Sequence, residues 1–185
     1  MDKHSHGQRN QGYPLKAKAL TRLCYIFVFF MLPFYIHANP DISSHDELFS
    51  QDNSVYSVQT GSNLNTWVDQ NGQSNRAFVS QQGSVSSFVV EQQGLSNQIY
   101  SSQTGAQIEA HILQSGIGNL VISSQTGTGL MLDVSQIGYG NQAYIAQTGH
   151  ENSILIQQYG TGHTVSVAQW GSSQTAVVTQ GQASD

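Results

Sequence analysis

Twelve glutamines stand eleven residues apart in this chain, at Gln59, Gln70, Gln81, Gln92, Gln103, Gln114, Gln125, Gln136, Gln147, Gln158, Gln169 and Gln180, without one insertion. Glycine follows two places after each of the first eleven, at Gly61, Gly72, Gly83, Gly94, Gly105, Gly116, Gly127, Gly138, Gly149, Gly160 and Gly171. Ordinary cores hold few amides, because a buried amide left unpaired costs about 1 to 3 kcal/mol. A period this strict implies a repeat architecture in which every unit makes the same contacts with its neighbours.

With each Gln taken as column zero, columns one to four have the composition of a turn, in which Gly supplies positive φ. Columns five to eleven then read as strands of about seven residues. Column seven includes Phe88, Ile99, Val121, Leu132 and Ile154, and column nine includes Val79, Val90, Ile112, Val134 and Ile156. Side chains on a strand alternate faces, so columns five, seven, nine and eleven share the inner side. The charges agree: Asp69, Arg76, Glu91, Glu109 and Asp133 fall in even, outward columns and Glu151 in a turn. An inward charge would be costly, and the pattern places none there. Eleven residues is also three turns of helix, but Gly at every eleventh place and the Val, Ile, Thr, Ser and Tyr content favour strands.

Column five doubles the repeat. It reads Asn53, Asn75, Asn97, Asn119, Asn141 and His163 on alternate strands, and Leu64, Ser86, Ile108, Leu130, Asn152 and Gln174 on the others. The expected fold is all-β, a two-sheet parallel β-solenoid of six 22-residue strand-turn-strand repeats over residues 53–180. Rungs stacked about 4.8 Å apart lay Gln on Gln and Asn on Asn, and each amide in such a ladder can donate to one neighbour and accept from the other. Neither end has an obvious cap, since the tail of residues 181–185 is short. Open edges of this kind invite further copies to add end to end as a cross-β fibre.

The segment before the repeats belongs to another regime. Lys3, Arg9, Lys16, Lys18 and Arg22 precede an apolar run from Leu23 to Ile36, the pattern of a secretory signal peptide over residues 1–38, with a retained anchor as the alternative. The run is short for a membrane span, so no integral span is expected after processing. Cleavage removes Cys24, the only cysteine, and leaves Arg76 as the one basic residue against ten acids, a formal charge of −9. Such a chain is repelled by nucleic acid and by anionic lipid. Residues 39–52 read as a flexible acidic leader.

The phrase "QIGYGNQAYIAQ", residues 136–147, and its 22-residue tandem resemble the curlin repeat of curli, the extracellular amyloid fibres of bacterial biofilms. The resemblance implies secretion through the periplasm and an outer-membrane pore, and assembly into surface fibres that mediate adhesion and biofilm formation. It implies other curlin subunits and the outer-membrane secretion and assembly machinery as partners. The acidic leader occupies the place of the family's export-targeting segment. The closing stretch of residues 158–180 lacks Asn in column five and ends on an apolar strand, which is nearest to the minor subunit that nucleates the fibre; the major subunit is the alternative.

Outward column eight of one sheet, Tyr56, Phe78, Tyr100, Ile122, Tyr144 and Ser166, reads either as cross-rung stacking or as a lateral contact. Tyr56, Phe78, Tyr100 and Tyr144 are its candidate contact residues, for other fibres, the partner subunit or matrix polysaccharide. An enzyme on a β-solenoid needs clustered catalytic groups, whereas Asp69, Glu91, Glu109 and Asp133 are spread over different rungs, so no catalytic residues are expected. His45, His111, His150 and His163 show no ligand spacing, and neither metal nor cofactor is expected.

Overall fold

The computed structural model describes residues 52–181. The expected signal peptide, all of the leader but Asp52, and residues 182–185 lie outside the described residues. Ten strands follow one another: β1 (Ser54–Gln73), β2 (Arg76–Leu95), β3 (Gln98–Ala106), β4 (Glu109–Ile117), β5 (Leu120–Thr128), β6 (Met131–Tyr139), β7 (Gln142–His150), β8 (Ser153–Thr161), β9 (Thr164–Ser172) and β10 (Thr175–Gln180). β1 and β2 each bend through a corner and supply an arm to both sheets. The first sheet stacks residues 54–62 of β1 and 76–84 of β2 with β3, β5, β7 and β9. The second stacks residues 64–73 and 86–95 with β4, β6, β8 and β10. Every pairing is parallel and joins a residue to the one 22 places later, as Gln59 to Gln81 and Gln136 to Gln158. The chain is thus a β-solenoid of six rungs.

The inner space is filled by odd columns from both sheets. Phe88, Ile99, Ile112, Leu132, Ile154 and Ile156 are fully buried, between buried amides at Gln81, Gln103, Gln114 and Gln125. The interior is therefore layered, apolar side chains in the middle and amide rows at its margins. The two end rungs are incomplete cores. Val55 of rung one points inward in register with buried Ala77 and Ile99 yet is half exposed, and Val167, Ala176 and Val178 of rung six are only partly covered. Covering a valine is worth about 1.5 to 3 kcal/mol, and at the ends that gain is not fully realised among the described residues.

The corners differ from the turn expected at columns one to four. From β3 to β9 the strands are nine residues long and run from column six through column three of the next unit. The chain reverses at column four, where Asn63, Ser74, Val85, Ser96, Gln107, Gly118, Gly129, Gly140, Glu151, Gly162 and Ser173 adopt left-handed φ between 53° and 70°. The repeated glycines of column two lie inside the strand ends, with φ between 101° and 144°. Their identity is imposed by the neighbouring rung as much as by the bend. A Cβ on Gly127 would land on the Gly149 carbonyl oxygen, with the carbonyl carbon 2.9 Å away. The backbones of successive rungs meet there with no room for a side chain.

Candidate functional site

Each inward Gln stands over its counterpart 22 residues away, which is hydrogen-bond distance for amides on adjacent rungs. In the first sheet Nε2 donates to the next Oε1 from Gln59 to Gln81 (2.7 Å), Gln81 to Gln103 (2.8 Å), Gln103 to Gln125 (3.1 Å), Gln125 to Gln147 (3.0 Å) and Gln147 to Gln169 (3.0 Å). In the second the chain runs Gln70, Gln92, Gln114, Gln136, Gln158, Gln180, at 2.6 to 2.9 Å. All ten bonds point the same way, from the N-terminal rung toward the C-terminal one. Backbone groups anchor that direction: Gln92, Gln114, Gln136 and Gln158 also donate from Nε2 to the carbonyls of Arg76, Gln98, Leu120 and Gln142. A flipped amide would set oxygen against those carbonyls, so the ladder has one polarity.

The column-five asparagines do a different job. Asn75, Asn97, Asn119 and Asn141 are fully buried, and each Oδ1 accepts from the backbone N–H of the next column-five residue, ending at His163. Nδ2 of Asn53, Asn75, Asn97, Asn119 and Asn141 donates to the carbonyl of a column-two glycine, Gly72, Gly94, Gly116, Gly138 and Gly160 respectively. Direct side-chain bonds between asparagines occur only at Asn97 to Asn75 and Asn119 to Asn97. These residues therefore staple corners, where the ladder expected from the sequence is only partial. Asn152 does the same at the opposite corner, donating to Thr148 and Gly171 carbonyls and accepting from Gln174 N–H. The pattern of column five on its own strand, where no other Asn occurs, gave no hint of it. Ser101 and Ser123, the buried polar pair in column nine, bond to one another at 2.7 Å. Among the described residues no buried side-chain nitrogen or oxygen is left without a partner.

The ladders leave opposite groups at the two ends. Gln59 and Gln70 give their Nε2 to rung two, so Oε1 is what they offer beyond rung one. Gln169 and Gln180 receive on Oε1 and offer the remaining Nε2 hydrogen beyond rung six, the other being directed to the Ser153 and Thr164 carbonyls. Gly171 has no glycine carbonyl above it, in contrast to Gly149. One end thus presents acceptors and the other donors, in matching columns.

The outer faces are chemically unlike. Asp69, Glu91, Glu109 and Asp133 all lie on the second sheet, where His111 stands between Glu91 (3.8 Å) and Asp133 (3.7 Å). The first sheet carries the column-eight stripe. Tyr56 and Phe78 stack at 5.1 Å, while Tyr100 and Tyr144 are separated by Ile122 and hydrogen-bond Gln98 and Gln142 beside them. Among the described residues no group of three His, Cys, Asp or Glu side chains is placed to hold a metal ion, and no helix is long and apolar enough to cross a membrane.

No curated protein and no solved structure gives a match to the chain. The family described as curlin associated repeat matches twice, at residues 127–160 and 149–181. These overlapping matches fall on rungs four to six, where the Gln ladder, the column-two glycines and the Asn141 and Asn152 staples coincide, so this stretch of the chain is similar to the curlin associated repeat.

Proposed function

We propose that this chain is a structural subunit of extracellular curli-type amyloid fibres, and that it is the minor subunit, which starts polymerisation of the major one at the cell surface. The observation that carries the reading is the pair of open ends: acceptors at Gln59 and Gln70, donors at Gln169 and Gln180, and half-covered apolar residues on both. A second copy, or a homologous subunit with the same period, continues both ladders without changing register. The added rung sets a glycine over Gly171 and covers Val167 and Val178. Contacts of this kind are heterologous and do not close, so they yield a filament.

The C-terminal rung favours the nucleating role. His163 and Gln174 replace the corner asparagines there, so the last rung differs from the interior of its own chain. Such an end is suited to a contact other than its own first rung, with a homologous subunit or the outer-membrane machinery. The major subunit is the alternative, and kinetics separate them. Trace mature protein added to monomeric major curlin of the same cell shortens the lag before thioflavin-positive fibres if it nucleates. Deleting the gene then leaves major subunit secreted but not attached. Loss of the bulk fibre mass with no effect on lag would instead assign the major subunit, and absence of any fibre in either assay would remove the fibre reading altogether.

A further inference from the structure

The two outer faces divide ridge, groove and charge unequally, and only one of them can lie against a copy of itself. On the first sheet, column eight is a ridge of Tyr56, Phe78, Tyr100, Ile122 and Tyr144, all substantially exposed. Beside it, column ten is a trough: after Val58 come Ser80, Ser102, Ser124, Ala146 and Ala168. Arg76 is the only charge on this face within the strands. The second sheet carries four carboxylates, two of them, Asp69 and Glu91, stacked directly on adjacent rungs. Two such faces repel one another, and laying the acidic face on the ridge would bury carboxylates with one arginine to answer them.

We infer that the first-sheet face is a lateral contact between two copies of this chain, packed ridge into trough about a two-fold axis parallel to the stack. This rests on the fibre reading above. An axis opposite column nine lays column eight of each copy over column ten of the other, so Tyr56 meets the equivalent of Val58 and the ridge side chains from Phe78 to Tyr144 enter a row of Ser and Ala. Rungs stay level, and the same contact repeats at each rung. The operation also opposes column six to column one. Arg76 then meets the partner copy's equivalent of Gln82 and not another arginine, and Gln98 and Gln142 meet the equivalents of Thr104 and Thr148. No like charges are set together.

The area sets when the contact holds. Seven residues at about 3.3 Å by six rungs at about 4.8 Å give roughly 670 Å² of face per chain. Stable interfaces bury about 600 to 1,000 Å² per partner. One pair of chains sits at the bottom of that range, and two chains stacked end to end exceed it. Lateral pairing therefore strengthens with axial growth: single chains pair weakly and filaments zip together.

The test uses full-length mature protein and fills the trough on the surface, away from the core. Ser102→Phe with Ser124→Phe adds apolar area, so a face that is merely sticky would bundle more. Ridge-in-trough packing predicts at least about a ten-fold fall in the fraction of filaments seen paired by electron microscopy, with single filaments of normal width. Glu91→Gln with Asp133→Asn, on the other sheet, leaves pairing unchanged. Pairing that survives or rises with phenylalanine in the trough overturns the inference. So do wild-type filaments that stay single in pure solution and lose only co-sedimentation with cellulose in the variant, which would assign the face to polysaccharide. Both of those results leave the fibre reading standing; no filaments from any variant or from wild type would remove both.

Discussion

Gly118, at the corner that leads into β5, and Gly127, near the end of β5, both have positive φ, and replacing each by alanine should have very different effects. Gly118 is a column-four corner at φ 66°, and a Cβ built on it meets nothing within 4 Å. Its substitution costs only the left-handed penalty, about 1 kcal/mol. Gly127 is a column-two glycine at φ 144°, and its Cβ would coincide with the Gly149 carbonyl. Restoring ordinary contact means separating the two rungs by about 1.5 Å. That movement stretches the nearby corner bonds between the two rungs, from Glu151 N–H to the Thr128 carbonyl (3.0 Å) and from Met131 N–H to the Asn152 carbonyl (2.9 Å). Losing two corner backbone bonds at about 1 to 3 kcal/mol each, with strain in addition, puts Gly127→Ala at roughly 3 to 6 kcal/mol. The assay is the guanidinium midpoint of the β-sheet circular dichroism signal on dilute, freshly prepared protein before filaments appear. A gap below about 1 kcal/mol between the two variants would refute the reasoning, because it would mean that successive backbones do not meet at column two.

Other substitutions probe separate parts of the fold by the same measurement. Val85 is a β-branched residue held at φ 54° and exposed at its corner, so Val85→Asn should stabilise by about 1 kcal/mol; a loss of stability would deny the left-handed corner. Gln114→Leu leaves the Gln92 Nε2 and Gln136 Oε1 facing an apolar side chain and should cost about 3 kcal/mol or more, and an effect under 1 kcal/mol would sink the ladder as a buried network. Ser101→Val alone strands the Ser123 hydroxyl and should cost about 1 to 3 kcal/mol, while the double change with Ser123→Val recovers most of it; strictly additive effects would show the 2.7 Å bond is not made.

What could be read from the residues, and what could not, divides along physical lines. The Gln columns were legible because a buried amide must find a partner and an exact period supplies one. The inward and outward faces were legible because strand side chains alternate and all strand charges fall on one set. The corner was misplaced because the visible signal, Gly in column two, reports a close approach between rungs. The residue that reverses the chain is in column four, where Asn, Ser, Val, Gln, Glu and Gly all occur and no pattern marks it. The staple at Asn152 was hidden for a related reason: its bond partners are backbone carbonyls on its own corner and the next rung, which only register reveals. The sorting of charge to one sheet was present in the sequence at 22-residue spacing but has meaning only once the two faces are separated.

The claim at the centre is that another chain continues the stack in the same register as the next rung. Asn65 and Thr175 occupy the same outward column of the second sheet on rungs one and six. Within a chain they are five rungs, roughly 24 Å, apart, too far for a disulfide. Across an end-to-end joint they become neighbours at about 4.8 Å, within disulfide range. Asn65→Cys with Thr175→Cys, in a Cys24→Ser background, should give a ladder of disulfide-linked multimers from oxidised filaments, and Asn65→Cys with Val177→Cys, two residues out of register, should give none. Filaments that form yet yield only monomer from the first pair, or multimers equally from both, would contradict in-register addition at the open ends.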